Sequence, residues 1–261
     1  MFGSLKVAVV VPAFNEEGAI AKTVVGVPGF VDHIIVVDDA STDRTVAEAL
    51  RIGRRGTEVV EHVSNRGVGA AIFSGYQRAL ELGVDVAAVM AGDGQMYPDD
   101  LGPLLMPILF GYADYAKGNR FLSGEAWQRM PRLRLCGNLA LSLLTRVSSG
   151  YADVFDSQCG YTAASRRALK VIAETGLFPR YGYPNDLLAR LHTAKLTVAD
   201  VPVRPIYGEG WRSGIRLYMA IYPLSYVLLS SFLRRLYSEH FRPHPTAMAE
   251  EAEKAACASV S

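Results

Sequence analysis

Short apolar runs alternate with polar stretches of helical character over about the first ninety residues of the chain. The runs are rich in β-branched residues, which is typical of buried strands, and they cover residues 7–11, 33–37, 57–63 and 84–90. Strands separated by single helices predict a parallel, doubly wound α/β sheet. We expect the ligand of such a sheet to lie at the carboxyl ends of its strands, where polar residues follow each run.

Local signals predict where the first elements begin and end. Pro12 lacks a backbone N–H and is expected to end the first strand. Asn15 is expected to cap the first helix, with Glu16 and Glu17 in a first turn where the helix dipole favours negative charge. The cluster at 41–43 offers caps for a second helix that runs to residue 51, and a third helix is predicted over 70–82.

The alternation loosens after about residue 110, which predicts a second half that covers the site instead of repeating the first. Strand-like pieces lie at 115–117 and 196–203. Helices are predicted over about 133–147 and 185–192.

Composition and charge limit the partners. The 261 residues include 27 basic and 26 acidic side chains, a formal net charge of +1, so no global field favours nucleic acid and any anion site must be local. Cys136, Cys159 and Cys257 are far apart and form no CxxC pair, which argues against a disulfide framework and a structural zinc, and favours a reducing cytoplasm. The apolar run 7–14 is too short for the core of a signal peptide.

Four polar motifs follow the predicted strands in order: Val11-Pro-Ala-Phe-Asn-Glu-Glu17, Val37-Asp-Asp-Ala-Ser-Thr-Asp43, Asn65-Arg-Gly-Val-Gly-Ala70 and Gly92-Asp-Gly-Gln95. Together they resemble the family 2 inverting glycosyltransferases, and within them the dolichol-phosphate mannose synthase and polyprenyl-phosphate glycosyltransferase branch. The resemblance covers about residues 5–210. It implies a GT-A fold, in which a nucleotide-binding α/β half is joined to an acceptor-binding half.

The resemblance implies a nucleotide-sugar donor and assigns residues to it. The donor-binding residues would be Pro12, Ala13, Phe14, Glu16, Asp39, Gly67 and Asp93. The first five would hold the base and ribose, and Gly67 would close the pocket. For Glu16 the alternative is a charge in the first turn of a helix, and for Asp39 a solvated turn.

A metal site is also implied, although the chain departs from the family pattern. The family carries an Asp-x-Asp followed two residues later by Gln, which supplies hard oxygen ligands to a divalent ion. Ala91 stands where the first aspartate is expected, so Asp93 and Gln95 would bind Mg²⁺ or Mn²⁺ together with the donor diphosphate. We expect the affinity for metal without donor to be low.

The second half supplies candidates for the acceptor. Arg120, in Gly118-Asn-Arg-Phe121, would face the donor or acceptor phosphates. Asp156 lies in a segment that resembles part of the family's acceptor site, and Asp186 occupies the place of a Glu-Asp pair that often carries the base in other branches. With Arg120 they form the candidate catalytic set. Further contacts to the acceptor or to phosphate are predicted for Arg134, Trp211 and Arg212, of which the last two lie in a glycine-rich flap.

These residues predict an inverting, metal-assisted transfer of a hexose from a UDP- or GDP-sugar to a polyprenyl phosphate. A phosphate monoester has a second pKa of about 6 and is already anionic, so it requires no strong base. The rival is the same chemistry on a soluble hydroxyl acceptor, for which Asp186 or Asp156 would have to accept a proton. A protein that binds a nucleotide-sugar without turnover is a third reading, because of Ala91.

The last part of the chain bears on the membrane. Residues 217–233 carry no charge and predict a helix of roughly 26 Å, which barely spans a bilayer. We expect an interfacial helix on the cytoplasmic face of a membrane, or else a helix that forms a homo-oligomer surface or covers the core. The predicted organisation is a GT-A domain over 1–210, a flap and helix over 211–240, and a disordered tail over 241–261.

Overall fold

One mixed sheet organises the chain. The computed structural model describes residues 5–124, 126–127, 130, 132–206 and 217–241. The strands are β1 (Val7–Ala13), β2 (His33–Asp38), β3 (Thr57–Glu61), β4 (Val86–Val89), β5 (Tyr115–Asn119), β6 (Thr162–Ser165) and β7 (Val198–Pro202). The helices are α1 (Ile20–Gly26), α2 (Thr45–Arg51), α3 (Val68–Glu81), α4 (Leu101–Leu109), α5 (Arg132–Ser149), α6 (Arg166–Thr175), α7 (Tyr183–Thr193) and α8 (Leu217–Phe241).

The sheet is mostly parallel, as predicted. Its strands lie in the order β3-β2-β1-β4-β6-β5-β7. Strands β1 to β4 are mutually parallel, and β5 is parallel to β7. Only β6 runs antiparallel to both its neighbours among the described strands. It joins the doubly wound half to the smaller half that covers it.

Both faces of the sheet are covered, and β1 lies fully buried between them. Val7, Val9 and Val11 belong to one core layer, which α1 and α4 help to form. Ala8 and Val10 belong to the opposite layer, with α3, α6 and α7. This two-sided burial explains why β1 is a continuous apolar run without polar alternation.

Two expectations about the first elements are wrong. β1 continues through Pro12 to Ala13. Its pairing with β4 ends before Pro12, whereas its register with β2 continues to Ala13. The first helix begins at Ile20, so Asn15 does not cap it and Glu16 and Glu17 are not in its first turn. Asn15 has the positive φ of 56°, and its side-chain oxygen accepts from the Thr42 backbone N–H.

The second half contains elements that the pattern does not reveal. β6 is a short Thr-Ala-Ala-Ser segment, whose strand conformation comes from pairing with β4 and β5. α4 contains two prolines and a glycine within nine residues, which hides its helical character. α6 was also not predicted, whereas the helices expected over 133–147 and 185–192 are α5 and α7.

The C-terminal helix α8 includes the uncharged stretch 217–233 and continues to Phe241. None of the helices within the described ranges is both long and apolar enough to cross a membrane. The flap with Trp211 and Arg212, and the tail from residue 242, lie outside the described residues. The three-part division of the chain therefore stays a prediction.

We expect Gly75→Ala to destabilise the protein by about 1–3 kcal/mol, because overpacking a core contact forces the backbone or neighbours to shift. A Cβ at Gly75 on α3 would lie 2.2 Å from Val10 Cγ1 on β1. The matched control is Gly102→Ala on α4, where a Cβ meets nothing within 4 Å. The control should be neutral or stabilising by up to about 1 kcal/mol, since alanine favours a helix over glycine. Urea unfolding measures both, and equal effects would contradict the α3–β1 contact.

Candidate active site

A large cleft lies at the carboxyl ends of the parallel strands. β2 and β3 lie on one side of β1 and β4 on the other, which opens a crevice at the point where the strand order reverses. The cleft has a volume of about 570 Å³. It is lined by Pro12, Ala13, Phe14, Glu16, Asp39, Asn65, Gly67, Val68, Ala71, Ala91, Gly92, Asp93, Arg180 and Tyr181. All seven residues predicted for the donor therefore line one cavity.

Asp39 is held in a fixed orientation at the end of β2. Its Oδ1 accepts from the Arg66 backbone N–H at 2.9 Å, and its Oδ2 accepts from the Gly67 N–H at 2.7 Å. His62 Nδ1 lies 2.7 Å from Oδ1, while His62 Nε2 lies 2.9 Å from Ser74 Oγ. Burial acts to raise the pKa of Asp39, but these hydrogen bonds outweigh it and hold the pKa below its usual value. Asp39 is an ionised acceptor, not a solvated turn residue.

Gly67 brings a second loop against the cleft. Its φ is 98°, and a Cβ there would lie 2.7 Å from the carbonyl oxygen of Pro179. The same loop accepts a hydrogen bond from the Ala70 N–H at 3.0 Å, again through Pro179. Because a side chain at position 67 would push this loop away, the glycine permits Arg180 and Tyr181 to form part of the cleft wall.

Two carboxylates with raised pKa values face the large cleft. Burial, followed by the charges of Asp93 and Asp43, raises the pKa of Glu16 to about 7. Burial also raises the pKa of Asp93, although its Oδ1 accepts from the Gln95 backbone N–H at 2.9 Å. Such carboxylates are destabilised in the ionised form, and a nearby cation would relieve this cost.

The residues around Asp93 fit a divalent ion that is shared with a ligand. Asp93 and the Gln95 side chain offer hard oxygen donors of the kind Mg²⁺ and Mn²⁺ prefer. No group of three His, Cys, Asp or Glu side chains suited to a metal occurs among the described residues. Ala91 lines the cleft where the family's first aspartate is expected. The ion would therefore depend on ligand oxygens to complete its coordination.

A small cleft adjoins the large one and has a volume of about 100 Å³. It is lined by Asp93, Gln95, Met96, Arg120, Cys159, Gly160, Tyr161, Val203, Arg204, Pro205 and Ile206. Asp93 lines both clefts, so the two cavities meet at this carboxylate. Arg120 and Arg204 provide the positive charge of the small cleft.

Arg120 is fixed by Asp156. The Arg120 Nε and Nη2 atoms donate to the two carboxylate oxygens at 2.8 and 2.7 Å, and the Arg120 backbone N–H donates to Oδ2 at 2.9 Å. Asp156 has no solvent exposure and a φ of 52°. Burial alone would raise the pKa of Asp156, but the Arg120 guanidinium outweighs it and lowers the pKa. Asp156 therefore orients Arg120 and is a poor proton acceptor.

Lys117 supports this pair from within the protein. It is 1% exposed, and its Nζ donates to the Asp156 carbonyl oxygen at 2.7 Å and also to that of Phe155. The same Nζ lies 3.6 Å from Asp200 Oδ1. Asp200 Oδ2 accepts from the Phe155 N–H and from Asn119 Nδ2, both at 2.7 Å. The network ties β5, β7 and the 155–156 loop together beneath Arg120.

Asp186 lines neither cleft. Its Oδ2 accepts from Arg190 Nε at 2.6 Å and from the Phe178 N–H at 3.0 Å, and its Oδ1 lies 3.3 Å from Arg234 Nη1. It lies in the first turn of α7 and joins this helix to α8. This position favours the alternative that Asp186 is a helix N-terminal charge, here with a role in packing. Arg134 lies on α5, but its side chain, like Trp211 and Arg212, is outside the described part.

Three residues of the site were missed by the sequence analysis. His62 contacts Asp39, and Lys117 holds the 155–156 loop. Arg204 donates to Asp100 Oδ1 at 2.8 Å and stacks over the Tyr97 ring at 4.4 Å. Lys117 is a basic residue within the strand-like piece 115–117, and this is the signal that could have drawn attention to it. His62 and Arg204 gain their roles only from the tertiary structure.

Solved structures define the class of fold. The chain is similar to the crystal structure of glucosyl-3-phosphoglycerate synthase from Mycobacterium tuberculosis in complex with Mn²⁺, UDP and phosphoglyceric acid. The TM-score is 0.67 at 22% identity, over 93% of this chain and 81% of the other. This likeness confirms the GT-A fold that the motifs implied.

The sequence comparisons define the family. The family model described as glycosyl transferase family 2 matches residues 8–172. A UDP-N-acetylglucosamine–dolichyl-phosphate N-acetylglucosaminyltransferase of Methanococcus voltae is 34% identical, over 77% of this chain and 85% of the relative. A polyprenol monophosphomannose synthase of Mycolicibacterium smegmatis is 30% identical, over 75% of each chain. The chain belongs to glycosyl transferase family 2 and is a glycosyltransferase, and the resemblance stated from its motifs is confirmed.

Lys117→Met should lower the free energy of unfolding by about 3–5 kcal/mol, because it leaves the Asp200 carboxylate buried without its partner. Adding Asp200→Asn should recover part of this loss, because the amide keeps an acceptor for Phe155 and Asn119 but carries no charge. Urea unfolding of the two single variants and the double variant gives the coupling. A double variant that is less stable than Lys117→Met would contradict a buried ion pair.

Proposed function

We propose that this glycosyltransferase moves a hexose from a UDP- or GDP-sugar to a polyprenyl phosphate, with inversion at the anomeric carbon and with a bound divalent ion. The reaction would take place at the cytoplasmic face of a membrane. The large cleft would hold the nucleotide-sugar and the small cleft the phosphate of the lipid. Relatives named for N-acetylglucosaminyl and mannosyl transfer to such lipids support the acceptor class and leave the sugar to experiment.

The observation that carries this proposal is the position of Asp93. It lines both clefts, so a group bound to it touches the ligand of each. In a glycosyl transfer the leaving diphosphate and the attacking acceptor meet at a single carbon, and the charge of the diphosphate has to be neutralised there. Asp93 and Gln95 would hold a Mg²⁺ or Mn²⁺ ion, which supplies that neutralisation when bound.

The carboxylates that could serve as a base are already engaged by other groups, which favours a phosphate over a hydroxyl acceptor. A hydroxyl needs a general base within hydrogen-bond reach. Among the described residues that line the small cleft, Asp93 is the only carboxylate, and it is assigned to the ion. Asp156 and Asp186 are both committed to arginine side chains. A phosphate oxygen is already negative and attacks without such a base.

The side chains of the two clefts would have separate roles in the reaction. Asp39 and the Gly67 loop hold the base and ribose end of the donor in the large cleft. Arg120, oriented by Asp156, binds the incoming phosphate and aims one of its oxygens at the anomeric carbon. That oxygen forms the new C–O bond as the bond to the diphosphate breaks on the opposite side, and the nucleoside diphosphate leaves with both electrons.

We expect Asp93→Asn to abolish transfer, with a fall in kcat/KM of about a thousandfold or more, because the ionised ligand of the cation is lost. The assay supplies a radiolabelled donor with Mg²⁺, Mn²⁺ or chelator and offers matched acceptors, a polyprenyl phosphate and the corresponding polyprenol. Wild type should use only the phosphate. The control Asp153→Asn changes an exposed aspartate that lines neither cleft and should be inert. Transfer to the polyprenol would instead support the hydroxyl acceptor.

Ala91→Asp should raise the affinity for Mn²⁺ without donor by about tenfold or more, since it restores a second carboxylate to the cleft. Calorimetric titration of Mn²⁺ measures this, and Ala91→Asn is the matched neutral control. If Ala91→Asp also created activity absent from the wild type, the natural chain would be a nucleotide-sugar binder without turnover. Unchanged affinity would show that position 91 does not reach the metal.

A further inference from the structure

Between residues 138 and 149, helix α5 exposes three large apolar side chains and buries five polar ones. Leu143, Leu144 and Val147 are exposed by 55%, 54% and 61%. The row on the opposite side is buried and consists of Asn138, Ser142, Thr145, Ser148 and Ser149. A helix at the surface of a protein in water has the reverse arrangement, with its apolar stripe toward the core.

The buried polar row is built into the protein, so the inversion is a fixed property of α5. The Thr145 hydroxyl lies 3.0 Å from Asn185 Oδ1 on α7. Ser142 Oγ accepts from the Ser157 backbone N–H at 3.2 Å, one residue beyond Asp156. Because these polar groups form hydrogen bonds with the interior of the protein, a rotation of α5 that buried its leucines would break those bonds.

Helix α8, which packs against α5, also exposes apolar residues. Tyr226, Leu229, Leu233 and Tyr237 recur at helical spacing and are each more than half exposed. α8 packs against both α5 and α7. We call the exposed apolar residues of the two helices the α5–α8 face: Leu143, Leu144, Val147, Tyr226, Leu229, Leu233 and Tyr237. They are seven of the 17 large apolar side chains exposed in the described ranges, which marks this face as the main apolar surface there.

The sequence that contains these two helices is basic. Residues 126–152 and 210–238, which contain α5 and most of α8, include eight arginines and no aspartate or glutamate. The rest of the chain has 19 basic and 26 acidic residues, so the near-neutral total conceals a basic part and an acidic part. An apolar helical face accompanied by arginines complements the anionic surface of a membrane.

We propose that the α5–α8 face docks on the surface of an anionic membrane, with its leucines and valine among the upper acyl chains and its tyrosines at the headgroup level. The choice of a membrane as the partner of this face rests in part on the proposed lipid acceptor. α5 also connects the face to the site, because Arg146 lies over the Phe155 ring at 5.7 Å and Phe155 precedes Asp156. Docking would bring a membrane-borne phosphate to the small cleft without a spanning helix.

The test uses the full chain and the double variant Leu143→Gln/Leu144→Gln. The matched control is Val25→Gln/Leu50→Gln on α1 and α2, where the side chains are exposed by 64% and 57%. Co-sedimentation with phosphatidylcholine vesicles, with and without added phosphatidylglycerol, measures binding. We expect wild type and control to bind the anionic vesicles, less strongly at high salt, and the face variant to bind about tenfold more weakly or worse.

Failure of wild type to bind, or equal binding by the face variant, would overturn the proposal. Sedimentation velocity tests whether the face instead binds a second copy of the chain. A wild-type dimer that the face variant converts to monomer, with vesicle binding unchanged, would identify the face as a contact between two copies. A water-soluble, short-chain polyprenyl phosphate separates this inference from the proposed function. Vesicle binding without any transfer would contradict only the proposed acceptor. Transfer without vesicle binding would contradict only the proposed membrane docking of the α5–α8 face.

Discussion

The buried charge of Asp156 is the constraint on which the second half of the site depends. A carboxylate with no solvent exposure is costly unless every oxygen has a charged or hydrogen-bonding partner. Arg120 meets that need with two side-chain bonds and its own backbone N–H, while Lys117 secures the carbonyl oxygens of the loop that carries Asp156. The arginine is thereby held with little freedom to reorient. A group that binds phosphate is most effective when its geometry is fixed before the ligand arrives.

The donor side is organised by a different principle, the convergence of strand ends. Residues that follow β1, β2, β3 and β4 are far apart in sequence, yet parallel pairing places them around one crevice. Asp39 again shows a carboxylate fixed by its surroundings, here by two backbone amides and His62. Glu16 and Asp93 are the exception, because burial outweighs the groups that stabilise their ionised forms and raises both pKa values. The contrast distinguishes acids whose charge is stabilised by the protein from acids whose charge a bound cation would stabilise.

The doubly wound half could be predicted from sequence because its strands are buried on both faces and its motifs follow strand ends. The family resemblance of these motifs assigned seven residues to the donor, and all seven line one cleft. Sequence analysis was less successful where tertiary pairing decides: β6 has no strand-like pattern of its own, and Asn15 adopts a positive φ instead of capping a helix. The role of Asp186 could not be separated from catalysis without seeing its two arginine partners. His62 and Arg204 act through groups far away in sequence, which no local signal reports.

The sharing of Asp93 between the two clefts has a consequence for the order of events. A doubly charged phosphate that entered the small cleft first would approach an uncompensated carboxylate, with Glu16 close enough to that carboxylate for their charges to couple. Under the proposed function, a donor and its cation in the large cleft would neutralise this carboxylate, and the repulsion on an incoming phosphate would fall. The proposal therefore implies that the sugar donor binds before the lipid phosphate. The charge of a single side chain would then set the order in which the two substrates bind.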